Sequence, residues 1–148
     1  MPLASSSGDS DLVGLMPTLF TRIINREIPG RFVYEDEQCV AFLTIAPIRP
    51  GHTLIVPRAE IDHWLDLPPA LTAHLFQIAQ KVGRAIQHAF PCEKVGLLIA
   101  GLEVPHTHLH LVPADTIGDL DFARQNAGTS PAELDAAADM IRTALAEG

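Results

Sequence analysis

The stretch that decides the reading is His106-Thr107-His108-Leu109-His110-Leu111-Val112, bracketed by Pro105 and Pro113. In a strand alternate side chains share a face, so His106, His108 and His110 point one way and Thr107, Leu109 and Leu111 point the other, into a core. Neighbours on one face stand about 7 Å apart, near enough for adjacent imidazoles to share a ligand. A helix would scatter the three rings, and the flanking prolines disfavour one. A neutral imidazole is a good nucleophile near neutral pH, and a protonated one donates hydrogen bonds to phosphate oxygens. Clustered imidazoles also hold one another neutral by like-charge repulsion. The row therefore suits covalent chemistry at phosphorus. His-x-His on a strand is also good geometry for zinc. Spacing alone leaves both open, and a metal-dependent hydrolase using His106, His108 and His52 as ligands is the alternative.

Upstream, His52 to Pro57 (HTLIVP) is apolar and β-branched and reads as a strand. It follows Ala46 to Gly51 (APIRPG), which two prolines and a glycine mark as a loop. Phe32 to Glu35 and Cys39 to Leu43 read as two strands joined by the turn Asp36-Glu37-Gln38. Leu19, Phe20, Ile23 and Ile24 recur at helical spacing behind Thr18 as N-cap, and Ile28-Pro29-Gly30 stops that helix. A long helix is expected from Pro69 to Phe90, with Leu71, Leu75, Ile78, Ala79, Val82 and Ile86 on one stripe. Val95 to Ala100 is a strand candidate, and residues 115–129 read mostly as loop. Ser130-Pro131-Ala132-Glu133 is a capping box with proline at the first helical position, opening a last helix through about Leu145. Five strands with few long crossovers predict an α+β domain: an antiparallel five-stranded sheet with helices on one side, one of them long and one C-terminal. Residues 1–14 read as a flexible tail and residues 15–148 as one domain, with a core at about 17–113 and an extension over 114–148.

The composition narrows the function. The chain has 148 residues, 47% of them hydrophobic and 19% charged, which suits a globular domain. A net charge of -8 supplies no global positive field, so nucleic acid and anionic membrane are not expected partners, and any anion must be held by local donors. Two cysteines at positions 39 and 92 make neither a disulfide framework nor a Cys-x-x-Cys motif. With neither a signal-peptide pattern nor a run long enough to span a bilayer, the expected location is the cytoplasm.

Gly101 to Pro113 (GLEVPHTHLHLVP) resembles the signature of the histidine-triad (HIT) family, and so, in the same order, do Phe20 to Pro29 (FTRIINREIP), Tyr34 to Asp36 (YED) and Pro50 to Arg58 (PGHTLIVPR). The resemblance implies that His108 is the nucleophile of a nucleotidyl-histidine intermediate, that His106 orients it, that His110 binds and polarises the phosphate, and that His52 completes a tetrad. It implies a nucleobase pocket from Phe20, Ile23, Ile28 and Phe42, although ordinary core is an equally good reading of each. The implied reaction is hydrolysis or transfer at the α-phosphate of a small nucleotide. It requires no metal in many members, allows a divalent cation, and is often carried out by a homodimer whose sheets join. Three departures bear on substrate holding. Thr44 stands where the family commonly places a ribose-binding aspartate, Leu102 where it has a phosphate-contacting glutamine, and Leu98 to Ala100 where it has an Asn-Gly-rich loop. These fit an altered substrate, weakened catalysis or a non-catalytic nucleotide-binding module. The cysteine pairs of zinc-bearing members are absent near 16–20 (MPTLF).

Arg58 is a candidate phosphate contact, with a solvated surface arginine as its plain reading; Lys94 shares the ambiguity. His63 and Trp64 read as packing residues, His74 and His88 as surface or boundary positions on the long helix, and Glu103 as a turn-edge carboxylate beside the histidines.

Overall fold

The computed structural model describes residues 16–148, so the tail expected at 1–14 lies outside the described residues. Helix α1 (Leu19–Ile24) is capped by Thr18, whose Oγ1 accepts the Thr21 N–H. Strands β1 (Phe32–Glu35) and β2 (Cys39–Leu43) follow, then β3 (Thr53–Pro57). Helix α2 (Pro69–Ala89) leads to β4 (Lys94–Leu98) and β5 (Leu109–Ala114), and α3 (Pro131–Glu147) closes the chain behind the expected Ser130–Glu133 capping box. The strands form one sheet in the order β1-β2-β3-β5-β4, every neighbouring pair antiparallel. The α+β reading holds.

The strand alternation sorts side chains onto two faces. Ala41, Leu43, Ile55, Leu109 and Leu111 meet Leu75, Val82 and Ile86 of α2 and Ala138 and Ile141 of α3 in the main core. Val40, Phe42, Leu54 and Val56 face the other way and are covered by Phe20, Ile23 and Ile24 of α1. The expectation of helices on one side is thus corrected. The two long helices share a face, but the short apolar stripe of α1 closes over part of the opposite one.

The histidine stretch departs from its expected geometry. The strand begins at Leu109 rather than His106, and it runs through Pro113 to Ala114. Thr107 explains the late start: its N–H and its Oγ1–H both donate to Ile61 O, at 2.8 and 2.7 Å, instead of joining the ladder. Pro113 lies beyond the pairing with β3, which ends at Leu111, and is registered only with Val95 of the edge strand β4. His52 likewise sits one residue ahead of β3, and β4 ends at Leu98 rather than Ala100. Residues 115–129 carry two short 3-10 turns, Ile117–Leu120 and Phe122–Arg124.

Candidate active site

The α1 face of the sheet carries a row of registered residues: Phe32, Phe42, Leu54, His110 and Leu98 lie side by side across the five strands. Phe42, Leu54 and His110 of this row, together with α1 and the loop after β4, enclose a cavity of about 410 Å³ whose lining is mostly apolar. Phe20, Ile23, Ile28 and Phe42 all line it, as do Thr44 and Leu102, and His108 and His110 complete the wall. Phe20 stands edge-on to His108, with ring centroids 4.7 Å apart. His108 in turn meets His110 at 4.7 Å.

Hydrogen bonds assign a proton to each imidazole. His108 Nδ1 lies 2.7 Å from His106 O, and a carbonyl only accepts, so Nδ1 carries the hydrogen and Nε2 keeps a lone pair. His52 Nδ1 accepts the Ile48 N–H at 3.0 Å, which puts its hydrogen on Nε2. That Nε2–H donates to His110 Nδ1 at 2.9 Å, so His110 carries its own hydrogen on Nε2. His106 Nε2–H donates to Pro57 O at 2.7 Å, and its Nδ1 accepts the Thr18 hydroxyl at 2.7 Å. One ring of the row thus ends in a bare nitrogen and its neighbour in an N–H donor.

All four rings are buried, and burial is the leading reason their protonation is disfavoured. It brings His52 down to about 4 and His110 down to about 3, with the charge of neighbouring histidines adding to the shift. His106 and His108 are lowered for the same first reason. Repulsion between imidazoles, expected as the source of neutrality, is therefore secondary to desolvation.

His106 does not reach the cavity; its backbone carbonyl, not its ring, is what holds His108. The turn before His52 needs Gly51, which has φ +98 and a Phe90 ring where a Cβ would sit. Thr44 Oγ1 accepts the Ala46 N–H at 3.1 Å, and Leu102 is 93% exposed at the rim. Arg58 is not brought in. Its Nε donates to Asp36 O and its guanidinium faces Glu35, at the far end of β3. Nor is a metal set of His106, His108 and His52 assembled: among the described residues their ring nitrogens do not converge within 4.8 Å of one another. Within 16–20, Thr18 bonds His106 and its own N–H donates to Glu60.

Several lining residues escaped the sequence reading. Phe122 stands edge-on to His110 at 4.8 Å, and Gln125 lines the cavity while donating to Ala46 O. Both come from the irregular segment after β5, which has no periodicity to mark them. Leu54 was visible only as one apolar residue of a strand, and Arg31, also lining, is tied to Asp135 at 2.7 Å. Among the described residues no helix is long and apolar enough to cross a membrane.

The HIT domain family matches residues 25–117. The chain is 36% identical to Protein hit of Bacillus subtilis over 108 residues, 68% of this chain and 73% of that protein. It is 31% identical over 100 residues to the adenylylsulfatase HINT3 of Arabidopsis thaliana, 64% of this chain and 51% of that protein. Among solved structures it is similar to a zinc-bound histidine triad family protein from Mycobacterium smegmatis, with a TM-score of 0.75, 27% identity and coverage of 87% and 93% of the two chains.

Proposed function

The chain belongs to the HIT family, and from that membership we propose that it is a nucleotide hydrolase or nucleotidyl transferase acting at the α-phosphate through a covalent intermediate on His108. The observation that carries this reading is the tautomer chain: a neutral His108 with Nε2 bare beside a His110 whose Nε2 holds a hydrogen. In the first step the His108 Nε2 lone pair attacks the α-phosphorus, the N–P bond forms, and the bond to the leaving group breaks with its electron pair going to the departing atom. The His110 N–H donates to a non-bridging oxygen as charge builds there, and does so again in the second step, whose slowing makes the adduct accumulate when His110 is replaced. In the second step water or another acceptor attacks the same phosphorus, the N–P bond breaks, and the pair returns to Nε2. The acceptor's proton leaves with the product phosphate or to solvent. No resident metal enters these steps.

The apolar cavity supports a planar base between Phe20, Ile23, Ile28 and Phe42. Phosphoramidates, acyl nucleotides and dinucleoside polyphosphates are the substrate classes, and the adenylylsulfatase relative adds support for a nucleotidyl group. A homodimer in the cytoplasm belongs to the same reading; β4 is an edge strand with Leu97 exposed, and light scattering on the purified chain checks the assembly. The test of the chemistry is intact-protein mass spectrometry after mixing with adenosine phosphoramidate, with released AMP assayed in the same tubes. We expect AMP from the wild type and an adenylyl adduct that accumulates in His110→Ala and is missing in His108→Ala. An adduct of equal size in His108→Ala would overturn the assignment. AMP-type nucleotides bound without any turnover would favour a binding module instead.

A further inference from the structure

The sheet face opposite the cavity holds a second cluster of ligand-type side chains. Asp36 lies in the β1–β2 turn, Cys39 opens β2, and His74 projects from α2. One carboxylate oxygen, the Cys39 Sγ and a ring nitrogen of His74 all lie within 4.8 Å of one another. Three donors converge on a single atom: Asp36 Oδ2 is 2.7 Å from His74 Nε2, 2.8 Å from the Tyr34 hydroxyl and 3.8 Å from Cys39 Sγ. The other oxygen, Oδ1, is held by the N–H groups of Gln38 and Cys39. Nothing in the reaction proposed for His108 uses this cluster.

We propose that Asp36, Cys39 and His74 form a binding site for a zinc-type divalent cation, which pins the β1–β2 hairpin to α2. Thiolate, imidazole and carboxylate are the donor set that a borderline-soft ion such as Zn²⁺ accepts in tetrahedral geometry. Tetrahedral bond lengths require ligand separations of about 3.3–3.6 Å. The imidazole and carboxylate would open by about 0.6 Å from their present contact to reach that spacing. Cys39 is fully buried, whereas Asp36 and His74 keep 23% and 26% of their side chains exposed, which gives the ion an entry and leaves a fourth position for water. Tyr34 and the two backbone N–H groups supply the outer hydrogen bonds that orient a ligating carboxylate. Of the positive charges nearby, Arg58 is turned to the Asp36 carbonyl and to Glu35, and Lys81 Nζ stands over the Tyr34 ring, 5.3 Å from its centroid.

Without an ion Cys39 is a thiol, pushed up to about 12 by burial and then by the Asp36 charge. Binding therefore releases the thiol proton to solvent and moves the His74 hydrogen from Nε2 to Nδ1, freeing the nitrogen that faces Asp36.

The test is titration of the reduced full chain with Co²⁺, read by ultraviolet and visible absorbance. A thiolate-to-cobalt charge-transfer band distinguishes this site from the histidine row, where no cysteine is present. The band is expected in wild type and Cys92→Ala, to vanish in Cys39→Ser and on displacement by Zn²⁺, and to need at least about tenfold more metal in His74→Gln. Cys39 is buried, so its replacement can unfold the chain; His74 is half-buried on a helix surface, and its variant keeps the proposal testable. Zn²⁺ is expected to raise the melting temperature of wild type and not of His74→Gln. Absence of the band, its loss in Cys92→Ala, or an unchanged titration in His74→Gln overturns the proposal.

Discussion

The floor and the rim of the cavity are built on different principles. On the floor, His108 and His110, with His52 and His106 behind them, are buried, and their hydrogen bonds fix which nitrogen carries each hydrogen. At the rim, the Thr44 hydroxyl and the Gln125 amide are turned to backbone groups of the loop at Ala46, and Leu102 points into solvent. Desolvation and carbonyl geometry specify the reacting groups, whereas the groups that would grip ribose and phosphate are few. Damage to the floor should therefore remove turnover, and changes at the rim should move affinity.

The largest effect is expected for His108→Ala: kcat for a nucleoside phosphoramidate falls at least about 10³-fold, with KM changing far less. A KM effect alone would erase the distinction between floor and rim. His110→Ala should lower kcat by about 10²–10³, the scale of losing one donor to a developing oxyanion. Retained kcat would remove His110 from the floor. Stability should follow the neutral rings as well. The folded chain holds His52 at about 4 and His110 at about 3 against an ordinary value of 6.5, so between these values the unfolded chain binds more protons. The stability they contribute is full above about pH 6.5, declines as pH falls, and is gone below about 3. Urea unfolding across that range measures it, and a wild-type curve no steeper than that of His52→Gln would contradict it. The smallest effect belongs to the rim: Thr44→Asp should tighten AMP binding by about tenfold, the scale of one hydrogen bond to a charged group, with kcat little changed. Calorimetry on AMP checks this, and unchanged affinity would mean that the ribose does not reach position 44.

Local signals explain what was legible in the chain. The β1–β2 hairpin, the 21-residue helix α2 and the Ser130 cap each follow from periodicity or turn chemistry within a few residues, and their boundaries agree with the reading to within about two positions. The histidine row misled over its first three residues because Thr107 finds its partner in Ile61, 46 positions away, which no local pattern announces. The reach of Phe122 and Gln125 into the cavity was hidden for the same reason, since two 3-10 turns fold that segment back without an apolar rhythm. His74 stands at no informative spacing and reads as a surface or boundary position, which its half-buried side chain bears out; its contact with Asp36, across 38 positions, has no local signal. The resemblance supplied the roles of the histidines; the side-chain network adds the direction of each hydrogen bond.

The central claim concerns protons, and long-range proton–nitrogen correlation spectroscopy of the imidazoles at neutral pH reads them directly. The account requires His108 to be the Nδ1–H tautomer with a bare Nε2, and His52, His106 and His110 to be Nε2–H tautomers. A His108 protonated on Nε2, alone or as the imidazolium, would leave no nucleophile on the floor and would contradict it.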